Sequence, residues 1–175
     1  FITFDHISNT PILIVVNKNQ SYKKMKWVDT HCHLQLIDET LDSENFHNIE
    51  FLIIPGVDFE SSLKAKEISS EIDLESYWSA GLHPHDAKLL NSQRESLVNL
   101  FQEADLIGET GLDFYRNLST KEEQIENFLF HLEYSKLLDK PIIIHCRDSF
   151  QDTYDQLVEF NNPSSIILHS WTGGR

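Results

Sequence analysis

The sequence predicts an α/β fold, a (β/α)8 TIM-type barrel with only about six of the eight strand–helix units present. Three observations predict it. Short apolar runs alternate with helical stretches, the pattern of a parallel sheet. Each run leads into polar residues able to bind metal, and a barrel gathers such strand ends at one mouth. Finally, Pro141-Ile142-Ile143-Ile144 is unbroken and β-branched, as suits a parallel strand covered on both faces.

The elements follow in order. Trp27-Val28 leads into Asp29-Thr30-His31-Cys32-His33. Read as a strand, this segment points His31 and His33 to one face and Cys32 to the other. Phe51-Leu52-Ile53-Ile54 is a buried strand stopped by Pro55-Gly56, and residues 58–72 follow as a helix. Tyr77–Gly81 is the next strand. Leu82-His83-Pro84-His85 is expected as a loop at its end, because Pro84 is ill suited to a central strand. A helix over 92–103 precedes the short strand Leu106-Ile107-Gly108, with Glu109–Asp113 at its C-terminal end. Ser119-Thr120-Lys121-Glu122 fits a capping box opening a helix whose apolar face is Ile125, Phe128, Leu129 and Leu132. The isoleucine strand then ends in His145-Cys146-Arg147-Asp148, a helix covers 148–160, and Ile166-Ile167-Leu168 ends in His169.

The totals bound the function. The 175 residues allow one ordinary domain, and a 40% apolar share suffices for a core. A net charge of −14 argues against a generic nucleic-acid binder with a basic stripe. It leaves room for a nuclease whose affinity is local to bound cations. Two cysteines without regular spacing give no disulfide framework and point to a reducing, cytoplasmic setting. No run approaches the roughly 18 apolar residues of a membrane span, and Pro11–Val16 is short for a signal-peptide core. No export, no membrane anchor and no obligate protein partner are expected.

Residue 1 is Phe and the only Met is Met25. Residues 1–24 are therefore read as an N-terminal extension or a non-native prefix, and residues 25–175 as a partial barrel with metal-binding residue types at its strand ends. An intact barrel takes roughly 250 residues, so two strands and their helices are expected to be missing.

The candidate metal ligands are His31, His33, Glu109, His145 and His169, each after an apolar run. Four imidazoles and one carboxylate can hold two divalent ions, with Glu109 giving one oxygen to each. Such a pair, about 3.5–4 Å apart, can activate water and neutralise charge on a phosphoryl group. Imidazole favours Zn on affinity, while Mg and Mn remain open. His83 and His85 either touch substrate phosphate or form a polar loop lip. Arg147 either grips phosphate through its planar fork or pairs with Asp148 or Asp113. Arg116 is a weaker candidate of the same kind. Asp113 and Asp29 either orient an imidazole or cap a turn. Cys32 and Cys146 are read as small buried thiols, and His131 as structural; His6 and His47 lack motif context.

Taken together, Asp29-Thr30-His31-Cys32-His33-Leu34, Gly81-Leu82-His83-Pro84-His85, Ile107–Asp113, Pro141–Asp148 and Leu168-His169-Ser170 resemble, in order, the TatD-family metal-dependent deoxyribonucleases. The resemblance covers about residues 27–174. It implies an amidohydrolase-type barrel that cleaves phosphodiester bonds in DNA by metal-activated water, as an exonuclease. It also implies that His31 and His33 hold one metal, that Glu109 bridges, and that His145 and His169 hold the second, with Glu109 and His145 at the catalytic centre. The family's proton-accepting Asp follows its eighth strand, and no residue here corresponds to it. Two other functions remain open. Amidohydrolase-type sites also act on amides and other esters. A truncated, inactive product is the third reading: six strands leave two open edges, so residues 25–175 alone are expected to be poorly soluble or molten.

Overall fold

The computed structural model describes residues 25–37, 46–160 and 165–170. The expectations for residues 1–24, including Pro11–Val16 and His6, and for the end beyond residue 170 lie outside them. Six strands form one parallel sheet: β1 (Trp27–Asp29), β2 (Ile49–Pro55), β3 (Ser76–Ala80), β4 (Leu106–Asp113), β5 (Ile142–Arg147) and β6 (Ile166–His169). Four helices connect them: α1 (Phe59–Glu71), α2 (Leu90–Glu103), α3 (Lys121–Leu138) and α4 (Phe150–Glu159). Every strand pairs in parallel with the next one in the chain. This is the singly wound order of a (β/α) barrel, without the reversal of a doubly wound sheet. No helix among the described residues is long and apolar enough to cross a membrane.

The isoleucine run shows how the two faces divide. Ile142, Ile143 and Ile144 are all fully buried. Ile142 and Ile144 join the large cluster that includes Leu97, Leu100, Phe101, Phe128 and Leu132 from α2 and α3. Ile143 belongs to a second cluster with Ile53 and Leu106, with Phe51 and Ile167 packed against it. The first cluster lies between sheet and helices; the second fills the concave face. Two residues beyond Ile143 and Ile167 on that concave face come His145 and His169, because side chains repeat every second residue.

Four local expectations are corrected. The His-x-His segment is not a strand: β1 stops at Asp29, and a bend follows in which Asp29 Oδ1 accepts the His31 N–H at 3.0 Å. Leu82-His83-Pro84-His85 is loop only as far as His83, since a 3-10 turn covers Pro84–Leu89. Pro84 suits its first position because the ring presets φ and no amide is needed there. β4 does not stop at Gly108. It runs on to Asp113, with every residue buried and an irregular register between Ile107 and Thr110. Gly108 and Gly111, at φ +115° and +133°, supply the backbone conformations this needs. Lastly, the capping box of α3 uses Thr120 and Glu123, one residue later than Ser119 and Glu122. The Ser119 hydroxyl is engaged elsewhere, donating to the His85 carbonyl and accepting from the Lys88 N–H.

Lys140 closes the C-terminal end of α2. Its ammonium donates to the carbonyls of Phe101, Gln102 and Ala104 at 2.7, 2.8 and 2.6 Å. These carbonyls sit at the negative end of the helix dipole. Lys140→Met is expected to destabilise the fold by about 1–3 kcal/mol, read as a lower urea midpoint with unchanged slope. An unchanged midpoint would show the three bonds to be no better than those with water.

Candidate metal centre

Glu109 is the hub. It is 3% exposed, and five imidazoles surround its carboxylate. Oε2 faces His31 Nε2 at 3.1 Å and His33 Nε2 at 3.7 Å. Oε1 faces His145 Nδ1 at 3.2 Å, His83 Nε2 at 3.7 Å and His169 Nε2 at 3.8 Å. The backbone of Glu109 is tied in as well, its N–H donating to the Gly56 carbonyl at 2.7 Å. The His31 and His169 rings stack at 3.6 Å between centroids. In the triples His31–Glu109–His169 and His83–Glu109–His145, the possible ligand atoms all lie within 4.8 Å of one another. An open cavity of about 310 Å³ leads in, lined by His33, Val57, His83, His85, Asp86, Glu109, His145 and His169.

Partners on the far side of each ring decide which nitrogen faces the centre. His33 Nδ1 lies 3.2 Å from the Pro55 carbonyl, which can only accept. Nδ1 therefore carries the proton, and Nε2 turns a lone pair towards Glu109. His31 Nε2 lies 3.1 Å from His33 Nε2. Two ring nitrogens this close to each other and to a carboxylate oxygen need a proton or a cation among them. His145 lies between two carboxylates, with Nε2 3.2 Å from Asp113 Oδ2. His83 differs. Its Nδ1 accepts the His85 N–H at 3.2 Å, so in the neutral ring Nε2 bears the proton and points a donor towards Oε1.

The protonation states follow from these surroundings. Burial, reinforced by neighbouring imidazoles, lowers His33 below its ordinary value and takes His169 to about 4. Burial also takes His83 to about 3, against the opposing pull of Glu109. Burial works against ionisation of Glu109, but hydrogen bonds from His145 and His31 hold it well below the usual carboxylate range. Burial likewise opposes protonation of His145, yet the hydrogen bond and charge of Glu109, then Asp113, raise it. Neutral imidazoles around an ionised carboxylate are the donor set a divalent cation requires. On this chemistry the residues present fit a metal centre.

Asp113 ties the cluster to the loops. Oδ2 accepts from His85 at 2.8 Å and from His145. Oδ1 accepts the backbone N–H groups of Tyr115 and Arg116 at 3.0 and 2.9 Å. The Asp113 backbone is itself held by Gln124, which accepts its N–H and donates to its carbonyl. The side chain of Asp113 thus both orients imidazoles and caps a turn, roles that the sequence left as alternatives.

His131, read from sequence as structural, supports the site from α3. Its Nε2 accepts the Leu82 N–H at 3.0 Å, and Asn127 Nδ2 donates to the Leu82 carbonyl at 2.7 Å. Together they fix the backbone just before His83. A His four residues after an Asn on one helix face was the available signal. Cys32 is buried, donates to the Ile53 carbonyl, and has its thiol pushed up by burial. Cys146 is only half-buried, 3.6 Å from the Ser149 hydroxyl. Arg147 and Arg116 are exposed and do not line the cavity. The Arg147 guanidinium lies 4.0 Å over the Tyr115 ring.

The family model described as "TatD related DNase" matches residues 28–175. The protein named 3'-5' ssDNA/RNA exonuclease TatD of Escherichia coli (strain K12) is 35% identical over 130 residues, covering 71% of this chain and 49% of that one. YcfH of the same organism, named an uncharacterized metal-dependent hydrolase, is 30% identical over 164 residues, covering 85% and 60%. Among solved structures, YJJV, a TatD homolog from Escherichia coli K12, superposes with a TM-score of 0.70 at 22% identity, over 84% of this chain and 61% of that one. The chain spans about half the length of the TatD exonucleases it matches.

Proposed function

Because the chain belongs to the TatD-related DNase family, we propose that it forms the larger part of the active site of a metal-dependent hydrolase that cleaves phosphodiester bonds in DNA from a strand end. The observation that carries this is the placement of the Glu109 carboxylate among imidazoles, with Oε2 turned to His31 and His33 and Oε1 to His83, His145 and His169. A carboxylate so placed could serve two divalent cations, and His31, His33, His145 and His169 are the imidazoles that would hold them. When bound, such cations supply Lewis acidity at the phosphoryl oxygen and lower the pKa of water.

The remaining groups act on the substrate. His83, although close to Glu109 and His145, presents a proton at Nε2 and is a donor for a phosphate oxygen rather than a ligand. His85 is held by Asp113 and lines the cavity wall. Asp113 keeps the Nε2–H of His145 and so aims Nδ1 inward, which fixes the tautomer that ligation needs. The name of the Escherichia coli relative supports a single strand as substrate. The charge of −14 supports capture of a strand end in a pocket over tracking along a duplex.

The test is cleavage of end-labelled single-stranded oligonucleotides by the protein with Mg²⁺, Mn²⁺ or Zn²⁺, beside amide and carboxyl-ester substrates. Stepwise shortening from one end is expected, abolished by EDTA and restored by added cation. Hydrolysis of the amide or carboxyl ester with the phosphodiester left intact would refute the assignment.

A further inference from the structure

We infer that Tyr115, backed by Arg147, is a stacking platform for the nucleobase next to the phosphate held at the metal centre; this rests on the phosphodiesterase reading above.

Register places the pair. Gly111 on β4 lies opposite His145 on β5, and Asp113 lies opposite Arg147. His145 and Arg147 share one face of β5, so Arg147 stands one step further out on the face that carries the imidazoles. That step is about 6–7 Å along the strand. It matches, to order of magnitude, the spacing between a phosphate and the base of its own nucleotide.

The turn that carries Tyr115 is fixed to the centre and not merely near it. Asp113 accepts the Tyr115 N–H with one oxygen and the His145 imidazole with the other. Phe114 packs against the core and anchors the turn from below. Tyr115 contributes little to that anchoring, being 61% exposed. Arg147 covers one face of its ring at 4.0 Å, while Tyr115 as a whole stays largely exposed. An aromatic ring so supported stacks any base, because every base offers a π face, and the guanidinium adds a charge for the adjoining phosphate. Stacking also answers the charge problem: a chain at −14 gains little from a general field and needs contacts that do not rely on one.

The test measures fluorescence anisotropy of labelled hexathymidylate and of an abasic strand of equal length, both built with phosphorothioate linkages that resist hydrolysis, with Mg²⁺ present. The abasic strand reports the phosphate contacts alone. The unmodified protein is expected to bind the thymidylate about 5- to 100-fold more tightly than the abasic strand. Tyr115→Ala is expected to bring the two affinities together, and Tyr115→Phe to keep them apart. A preference for thymidylate that survives Tyr115→Ala overturns the platform and leaves the phosphodiesterase reading standing. Failure of the unmodified protein to bind either strand overturns that reading and the platform with it.

Discussion

Glu109→Gln is expected to lower metal-dependent hydrolysis by about 10³-fold or more, equivalent to ~4 kcal/mol in the barrier. Glutamine keeps the volume but offers one oxygen where the carboxylate offers two. Its amide NH₂ would face either the His31–His33 side or the His83, His145 and His169 side, where it would repel a cation. The negative charge that balances the cations is lost too. Direct titration should show at most one cation bound per chain, in place of two for the parent. Because hydrogen bonds from His145 and His31 hold buried Glu109 ionised, the neutral amide should also lower thermal stability without added metal. Two cations bound, with a rate within tenfold of the parent, would remove Glu109 from the bridging role.

The other large effect is on the fold. Gly111→Ala is expected to cost more than ~3 kcal/mol and to leave little folded protein. Gly111 has φ +133°, and a Cβ there would clash with the His145 carbonyl oxygen and lie 3.0 Å from its carbon. The obstacle is backbone, so no rotamer change relieves it. Gly111 and His145 are register partners, so moving the strands apart also takes the His145 imidazole away from Glu109. Circular dichroism melts should show a collapsed or absent transition. An Ala variant melting within about 2 °C of the parent would show that β4 and β5 can separate at little cost.

Much of the fold was legible because its signals are local. The Ile142-Ile143-Ile144 run reads as a strand without neighbours being known, and the structure buries all three residues. Asp58 at the head of α1 and the apolar spacing of α3 are likewise local, and both helices form where expected. The polar strand ends follow from the same pattern. The errors came where a residue had a distant partner. Ser119 looked like the helix cap, but His85 and Lys88, more than thirty residues away, claim its hydroxyl. β4 seemed to end at Gly108 because its apolar run stops there and the polar Glu109-Thr110 follows. Its continuation to Asp113 is paid for by pairing with β5, from Thr110↔Ile144 to Asp113↔Arg147.

The candidate site divides in the same way. By itself the sequence determined which imidazoles and which carboxylate the molecule carries, and that they follow strands wound into a barrel. Those are properties of residue type and period, set within a few positions of each residue. Only the tertiary structure decided which atom faces which. It turned Glu109 Oε2 to His31 and His33 and Oε1 to His83, His145 and His169, stacked His169 on His31, gave the Nδ1 of His83 to a backbone amide, and joined His85, His145 and the Tyr115 turn through Asp113. The physical reason is range. A hydrogen bond selects a single nitrogen or oxygen at about 3 Å, and partners that close in space lie dozens of residues apart along the chain.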